Sequence, residues 1–139
     1  MAHPEETRII HGWLDAMSDS IRRKDLNRHM DLVSKKVEVF GNPSKEHINY
    51  AGWQKRRKNE FENKSVVCAS YANTKIKTIT QVRIIFNVDE SIVSTNGRII
   101  ALNKDVILEK EDDGKWRVVE ENIHTWKQQR MSEDLASNG

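Results

Sequence analysis

The sequence is poor in residues that define several classes of protein. Its 139 residues include one cysteine, two prolines and six glycines. The single cysteine, Cys68, excludes an internal disulfide and a multi-cysteine metal site, and we expect it to be a buried thiol in the core. The glycines are dispersed, and none follows a strand in a phosphate-binding arrangement, so no cofactor is expected.

Long hydrophobic runs and a large charge excess are also missing. The longest apolar runs, such as residues 84–86 and 99–102, fall far short of the ~18 residues that a membrane span requires. The N-terminal stretch MAHPEETRII lacks the pattern of a signal peptide, so we expect a cytoplasmic protein with no membrane partner. The formal net charge is only +2, which does not favour a nucleic-acid partner. A nucleic-acid binder would lose affinity steeply as the salt concentration rises.

Two local patterns have a functional and a plainer interpretation. The run KRRK at 55–58 is of the kind that binds nucleic acid, but on a helix its side chains fan around the axis, which favours a solvated face. The five histidines show no pair with metal-ligand spacing, and the two aspartates at 112–113 suit a hairpin turn. No metal site is therefore expected.

The first part of the chain has the pattern of two helices leading into a strand. Pro4, followed by two glutamates, predicts the start of a helix over about residues 4–23, in which apolar residues recur at helical spacing. Asp25 is expected to cap a short second helix. The segment VEVFG then switches to the period of two that is typical of a strand.

A third helix is predicted to begin in the region Asn49–Gly52 and to run through GWQKRRKNEFENK. One side of it carries, four residues apart, Trp53, Arg57 and Phe61. The remaining surface is charged, so only this side is expected to pack against the rest of the protein.

The second part of the chain has the pattern of long strands. Strand-like segments are VVCASYA, residues 75–87, residues 97–111 and a last strand from 115 to about 125. The Asp-Gly pair at 113–114 lies between two alternating runs and predicts a hairpin.

This order of elements, helices first and long strands afterwards, predicts an α+β fold. Three helices are expected to cover one face of a curved, mostly antiparallel sheet, in a single domain over residues 1–127 with a disordered tail over 128–139. The strands at 75–87 and 98–109 carry aliphatic residues on both faces, so the uncovered face is expected to bury against a second copy in a homodimer. A monomer with scattered surface aliphatics is the alternative.

Several of these features together carry a family resemblance. They are the long first helix, the second helix running into VEVFG, the glycine that opens the third helix in YAGWQKRR, and the hairpin ILEKEDDGKWRVV. Over about residues 5–125 the chain resembles the nuclear transport factor 2-like superfamily, which includes the ketosteroid isomerases and the SnoaL-like polyketide cyclases. The resemblance implies a cone-shaped fold, an apolar pocket between helices and sheet, and frequent dimerisation through the outer sheet face. Substrate identity does not transfer, because function resides in the site.

The last strand carries the first candidate site. If Trp116 points into the cone, the period of two places Val118, Glu120 and Asn122 on the same face. A buried carboxylate requires a partner or a function, and Arg57 on the third helix is the natural partner of Glu120, in an ion pair or in joint binding of a substrate group. The alternative is that Glu120 is a solvated rim residue and that Arg57 extends outwards along its stem.

His29, on the short second helix, is the other catalytic candidate. It could act as an acid or base if it faced the pocket, whereas a lone histidine on such a helix is otherwise structural. The catalytic candidates are therefore Glu120 and His29. The predicted substrate-binding residues are Trp13, Met17, Trp53, Arg57, Phe61, Trp116 and Asn122.

The resemblance does not extend to the reaction of the ketosteroid isomerases. It implies a catalytic carboxylate in the strand VEVFG, where Val39 occupies the equivalent position and Glu38 points away, and the first helix has no tyrosine. The sequence therefore favours a pocket protein that binds an unidentified, partly apolar organic ligand, with lyase, isomerase or hydrolase activity as an extension. The alternative is a non-catalytic dimerisation or partner-binding module whose cone is filled by its own side chains.

Overall fold

The helices of the computed structural model, which describes residues 3–130, match the sequence patterns. They are α1 (Pro4–Arg23), α2 (Leu26–Met30) and α3 (Tyr50–Glu62). Pro4 lies in the first turn of α1, where its missing N–H removes no hydrogen bond. The side chains of Asp25 and Asn49 cap α2 and α3 by accepting a hydrogen bond from a backbone N–H of the first turn.

The strands form one five-stranded sheet in the order β1-β5-β4-β3-β2. They are β1 (Val33–Phe40), β2 (Val66–Ile79), β3 (Arg83–Ser94), β4 (Arg98–Lys110) and β5 (Trp116–Arg130). β1 runs parallel to β5, and the other neighbours are antiparallel. The predicted α+β architecture, with three helices packed on a curved and mostly antiparallel sheet, is confirmed.

Two strand boundaries differ from the predicted ones. The run at 75–87 is not one strand, because the chain turns at residues 80–82 and pairs Ile79 with Ile84 across a hairpin. The last strand continues past 125, and Arg130 still pairs with Arg98, so residues 128–130 belong to β5. The remainder of the expected tail, 131–139, lies outside the described residues. The predicted hairpin between β4 and β5 is present, with a positive φ of 83° at Gly114.

The core lies between α1 and the inner face of the sheet. The apolar stripe of α1 supplies Ile10, Trp13, Leu14, Met17 and Ile21, and β3 and β4 supply Ile84, Phe86, Val88, Val106 and Leu108, which have no exposed surface. This alternation places every second residue of β3 and β4 against the helices. No helix in residues 3–130 has the length and apolar content needed to cross a membrane.

A β-bulge in β5 decides which of its side chains face the helices. Leu108 pairs with Val118 but Ile107 pairs with Glu120, so Val119 is an extra residue in the ladder. One extra residue exchanges the two faces of a strand for everything that follows it. After the bulge, Glu121 therefore takes the inward position.

The end of β1 passes very close to β5. Gly41 has a φ of +78°, and a Cβ atom at this position would lie 2.3 Å from the carbonyl oxygen of Ile123. Only glycine fits this contact without a shift of the backbone. The connection that follows, residues 42–49, is thereby held over the inner face of the sheet, where it forms one side of a cavity.

Candidate active site

A cavity of about 130 Å³ lies between α3, the 42–49 connection and the inner face of the sheet. Its walls are largely apolar, and they include Val39, Ile48, Trp53, Val66, Ile92, Ile100, Leu102 and Ile123. The cone is therefore not completely filled by its own side chains. A cavity engineered into a protein core that binds benzene has roughly the same size, ~150 Å³.

Three charged side chains meet at the sheet side of this cavity. Nζ of Lys104 lies 3.0 Å from Oε2 of Glu90 and 3.1 and 3.0 Å from the two carboxylate oxygens of Glu121. The side chains of Lys104, Glu90 and Glu121 are 7%, 4% and 6% exposed, and all three line the cavity. We call these three residues the inner triad. Charges this deeply buried are rare unless they are paired, and here two carboxylates share one ammonium group.

The surroundings shift the pKa values of the two carboxyl groups of the inner triad in opposite directions. Burial raises the pKa of Glu121 above its ordinary value, and repulsion from Glu90 raises it further, while Lys104 opposes both effects. Burial also acts to raise the pKa of Glu90, but attraction to Lys104 and Arg57 outweighs it and leaves that pKa below its ordinary value. The two carboxylates in turn hold the pKa of Lys104 above its ordinary value despite burial. Glu121 is thus suited to carry a proton, and Glu90 to remain ionised.

Arg57 and Trp53 extend from α3 to the cavity, and both donate a hydrogen bond to the imidazole of His29. Nε of Arg57 donates to Nε2 of His29 at 3.3 Å, and Nε1 of Trp53 donates to the same atom at 2.9 Å. Nη1 of Arg57 donates to Oε1 of Glu60 at 2.6 Å. The position of the guanidinium group is therefore determined by two acceptors on two elements.

His29 is held as a neutral imidazole. The hydroxyl group of Ser20 donates to the carbonyl oxygen of Met17 at 2.9 Å, so its oxygen accepts the proton of Nδ1 of His29 at 3.0 Å. Nε2 receives only donors, because tryptophan and arginine side chains cannot accept hydrogen bonds. Burial, together with repulsion from neighbouring cations, lowers the pKa of His29 to about 2. His29, predicted as an acid or base, is completely buried and does not line the cavity, so it is instead a positioning group.

The expectation for Glu120 and Asn122 is corrected by the bulge. Both follow Val119 and lie on the outer face of the sheet, where the amide of Asn122 donates to Oε2 of Glu120 at 2.8 Å. Glu121, one residue later, takes the inward place predicted for Glu120. The predicted partner, Arg57, does face the cavity, but its carboxylate neighbours are Glu60 and the two of the inner triad.

The predicted pocket walls divide between cavity and core. Trp53 and Arg57 line the cavity, whereas the residues that pack in or against the hydrophobic core away from it are Trp13, Met17, Phe61 and Trp116. Cys68, expected in the core, is only half-buried. Val39 lines the cavity and Glu38 is exposed beside His47, so the alternation predicted for β1 holds.

Sequence reasoning missed the carboxylate and the lysine that β3 and β4 bring to the cavity. In β3 the inward series Ile84, Phe86 and Val88 continues with Glu90, and in β4 the inward residue after Leu108 and Val106 is Lys104. In each strand an inward aliphatic series ends in a charged residue. The same pattern in β5 had indicated a candidate site there. In residues 3–130 no group of three or more histidine, cysteine, aspartate or glutamate side chains is arranged to hold a metal ion.

Comparisons with known proteins identify the fold. No protein-family model matches the sequence, and no curated protein matches it either. A solved structure of a candidate scytalone dehydratase from Novosphingobium aromaticivorans superposes with a TM-score of 0.74 at 14% identity, covering 90% of this chain and 87% of that one. A ketosteroid isomerase-like protein from Erwinia carotovora atroseptica gives 0.66 at 13% identity, covering 87% and 96%.

A third structure carries the name of the expected fold. It is an NTF-2-like protein of unknown function from Shewanella oneidensis, with a TM-score of 0.71 at 15% identity, covering 85% of this chain and 98% of that one. At these identities the likeness concerns the fold, and the chemistry must be argued from the cavity itself.

Proposed function

The chain has the nuclear transport factor 2-like fold, and on that premise we propose that it is a proton-transferring enzyme of the lyase or isomerase class. Its substrate is a small, partly apolar organic molecule that binds in the cavity between α3 and the sheet. The observation that carries this proposal is the inner triad, in which two buried carboxyl groups of opposite pKa shift share one lysine at the wall of an apolar cavity.

The geometry supports a distinct role for each member of the triad. The ionised Glu90 accepts a proton from a carbon next to a carbonyl group of the substrate, and Glu121 donates its proton to a leaving group or to a second carbon. The guanidinium group of Arg57 and the charge of Lys104 stabilise the negative charge that develops on the carbonyl oxygen. Afterwards a proton passes from Glu90 to Glu121, which are each about 3 Å from Nζ of Lys104, and the starting state is restored.

Two of the solved structures are consistent with this class of chemistry. The Novosphingobium protein is named for a dehydratase, a lyase, and the Erwinia protein for its likeness to an isomerase. The non-catalytic alternative, a module with a filled cone, is less well supported because a cavity remains and because its wall carries charges that a purely structural core does not require.

Ligand-induced stabilisation tests this proposal. We expect some members of a panel of small ketones, hydroxy acids and carboxylic acids to raise the Tm and Arg57→Ala to abolish this shift, whereas Glu121→Gln should keep the shift but lose turnover of the compound. Incubation of the stabilising compound in D₂O, followed by NMR, is expected to show exchange of a carbon-bound proton, slowed at least about a hundredfold in Glu90→Gln.

Glu120→Gln is the matched control for these variants, since it makes the same change one residue away on the outer face. It is expected to keep both the shift and the exchange. If no compound raises the Tm, or if Glu120→Gln and Glu121→Gln behave alike, the proposal is wrong.

We propose in addition that the protein is a homodimer through the outer face of the sheet. Half-buried aliphatic side chains occur at both ends of this face, Ile85 at one end and Val93 and Ile99 at the other. An isologous contact of this kind is the commonest way to cover such a face. Sedimentation equilibrium is expected to give twice the chain mass for the wild type and the single-chain mass for Ile99→Lys; a monomeric wild type would exclude the dimer.

A further inference from the structure

We propose that the ligand of the cavity is a small monocarboxylate, which binds to Arg57 through its carboxylate group while Glu121 takes up a proton. This inference rests on the proposed function, which leaves the charge of the substrate open.

Arg57 offers the cavity an unused donor. Its Nε and Nη1 are engaged by His29 and Glu60, whereas Nη2 has no hydrogen-bond acceptor among residues 3–130. Lys104, by contrast, has carboxylate oxygens as its acceptors on both sides. A ligand oxygen is therefore best placed on Nη2 of Arg57, and a carboxylate makes the strongest hydrogen bond there.

The charged side chains that line the cavity have a formal net charge of zero when all are ionised, so a charged ligand would disturb this balance. The charged residues of its lining are three carboxylates and three cations: Glu60, Glu90, Glu121, Arg56, Arg57 and Lys104. An anionic ligand would add one negative charge beside the buried inner triad, which is unfavourable without compensation. Uptake of one proton by a lining carboxylate restores the balance.

Glu121 is the carboxyl group placed to take up that proton. The charged and titratable groups around it are Lys104 on β4, Glu90 on β3 with Tyr71 of β2 beside it, and Arg57 on α3. Lys104 and Arg57 attract the charge of both carboxylates, but Glu121 is the one whose pKa is raised by burial and by its neighbour. Once Glu121 is neutral, the lining carries one excess positive charge, which a monocarboxylate matches.

The size and walls of the cavity define the rest of the ligand. About 130 Å³ with mainly aliphatic walls and one indole suits a compact apolar body, of the size of a benzene ring. Benzoate is therefore a suitable probe, and benzamide is its neutral counterpart of nearly equal shape. Isobutyrate and isobutyramide form a smaller pair of the same kind.

Calorimetric titration with these pairs tests the inference. At pH 6 we expect each carboxylate to bind at least tenfold more tightly than its amide. At pH 8, titrations in two buffers of different ionisation enthalpy are expected to report uptake of about one proton per carboxylate bound. The affinity for the carboxylate should then decrease by nearly tenfold for each unit by which the pH is raised further.

Three variants separate the parts of the inference. Glu121→Gln is expected to abolish the proton uptake and to bind benzoate more tightly than the wild type at pH 8. Arg57→Met is expected to weaken benzoate at least tenfold while leaving benzamide unchanged. Glu120→Gln, on the outer face, is the control and should match the wild type. If Arg57→Met does not fold, the pH dependence of Glu121→Gln still decides.

Other results would overturn the inference. Equal affinity for carboxylate and amide, carboxylate binding without proton uptake, or binding by the amides alone would each contradict it and leave the proposed function intact. If none of the four probes binds, the carboxylate inference fails; if the wider panel also gives no thermal shift, the proposed function fails with it.

Discussion

Lowering the pH from 7 to 5 is expected to reduce the free energy of unfolding by about 2 kcal/mol through His29 alone. The pKa of His29 is about 2 in the folded protein and 6.5 in the unfolded chain. Between these two pKa values the unfolded state binds a proton at His29 and the folded state does not. The contribution of His29 to the free energy of unfolding is therefore present above pH 6.5 and is lost as the pH falls towards 2. The cause is structural, because Nε2 of His29 already accepts two hydrogen bonds and the residue itself has no water-exposed surface.

Urea unfolding between pH 7 and 5 measures this effect. His29→Gln keeps an acceptor for Trp53 and Arg57 but cannot take up a proton, so it should be less stable at pH 7 and should depend on pH less steeply, by close to one proton. His11→Gln, on the exposed side of α1, is the control and should retain the slope of the wild type. An equal slope in His29→Gln and the wild type would contradict the assignment of a buried, neutral imidazole.

Removing the ammonium group of the inner triad is expected to have the largest effect of any single substitution discussed. Lys104→Met leaves Glu90 and Glu121 buried side by side with Arg57 as the remaining nearby cation, and breaking a buried ion pair in this way costs about 3–5 kcal/mol. The loss should shrink at low pH, because protonation relieves the repulsion between the two carboxylates.

A triple substitution determines whether the triad is needed for stability at all. Glu90→Leu, Lys104→Met and Glu121→Leu together remove all three charges, and such apolar replacements are often neutral or stabilising, so we expect most of the lost stability to return. Ligand binding should not return. Lys77→Met is the matched control, because the ammonium group of Lys77 is half-exposed on the outer face and its partner Asp105 keeps contacts with Asn87 and His124, so the loss should stay below about 1 kcal/mol. A loss below 1 kcal/mol for Lys104→Met would show that the triad is not buried as described.

The elements that follow from local chemistry could be predicted from the sequence. The first helix begins at Pro4 and ends at Arg23 as its proline, acidic residues and apolar period indicate, and the Asp-Gly hairpin joins the last two strands. The α+β class followed from the order of these elements. The turn at 80–82 was not predicted, because the segment TQV contains neither glycine nor proline and nothing in its composition interrupts the strand pattern.

The candidate site depended on register, which the sequence does not encode locally. Alternation assigned the inward face of β5 correctly as far as Val118, and the bulge at Val119 then exchanged Glu120 for Glu121. In the segment VVEEN two valines precede two glutamates, so either valine and either glutamate can face inwards. The choice is made by pairing with β4, a long-range property.

The role of His29 required contacts that no spacing reveals. Its partners Ser20, Trp53 and Arg57 come from two other helices, and only their arrangement shows that both ring nitrogens are occupied. Glu90 and Lys104 were different, because the charge at the end of each aliphatic series was visible in the sequence. The sequence could not supply the register, in which β3 and β4 bring Glu90 and Lys104 into contact as diagonal neighbours on one face.

Glu121 and Glu90 lie on either side of Lys104 at the cavity wall, and the proposed chemistry depends on this arrangement. Titration of glutamate carboxyl carbons by NMR tests it most directly, with Glu90→Gln, Glu120→Gln and Glu121→Gln used to assign the signals. We expect the coupled pair to titrate in two steps, one above and one below the ordinary value of about 4.5, and we expect Glu120→Gln to leave both steps in place. Two carboxyl groups that titrate together near 4.5, as exposed glutamates do, would contradict it.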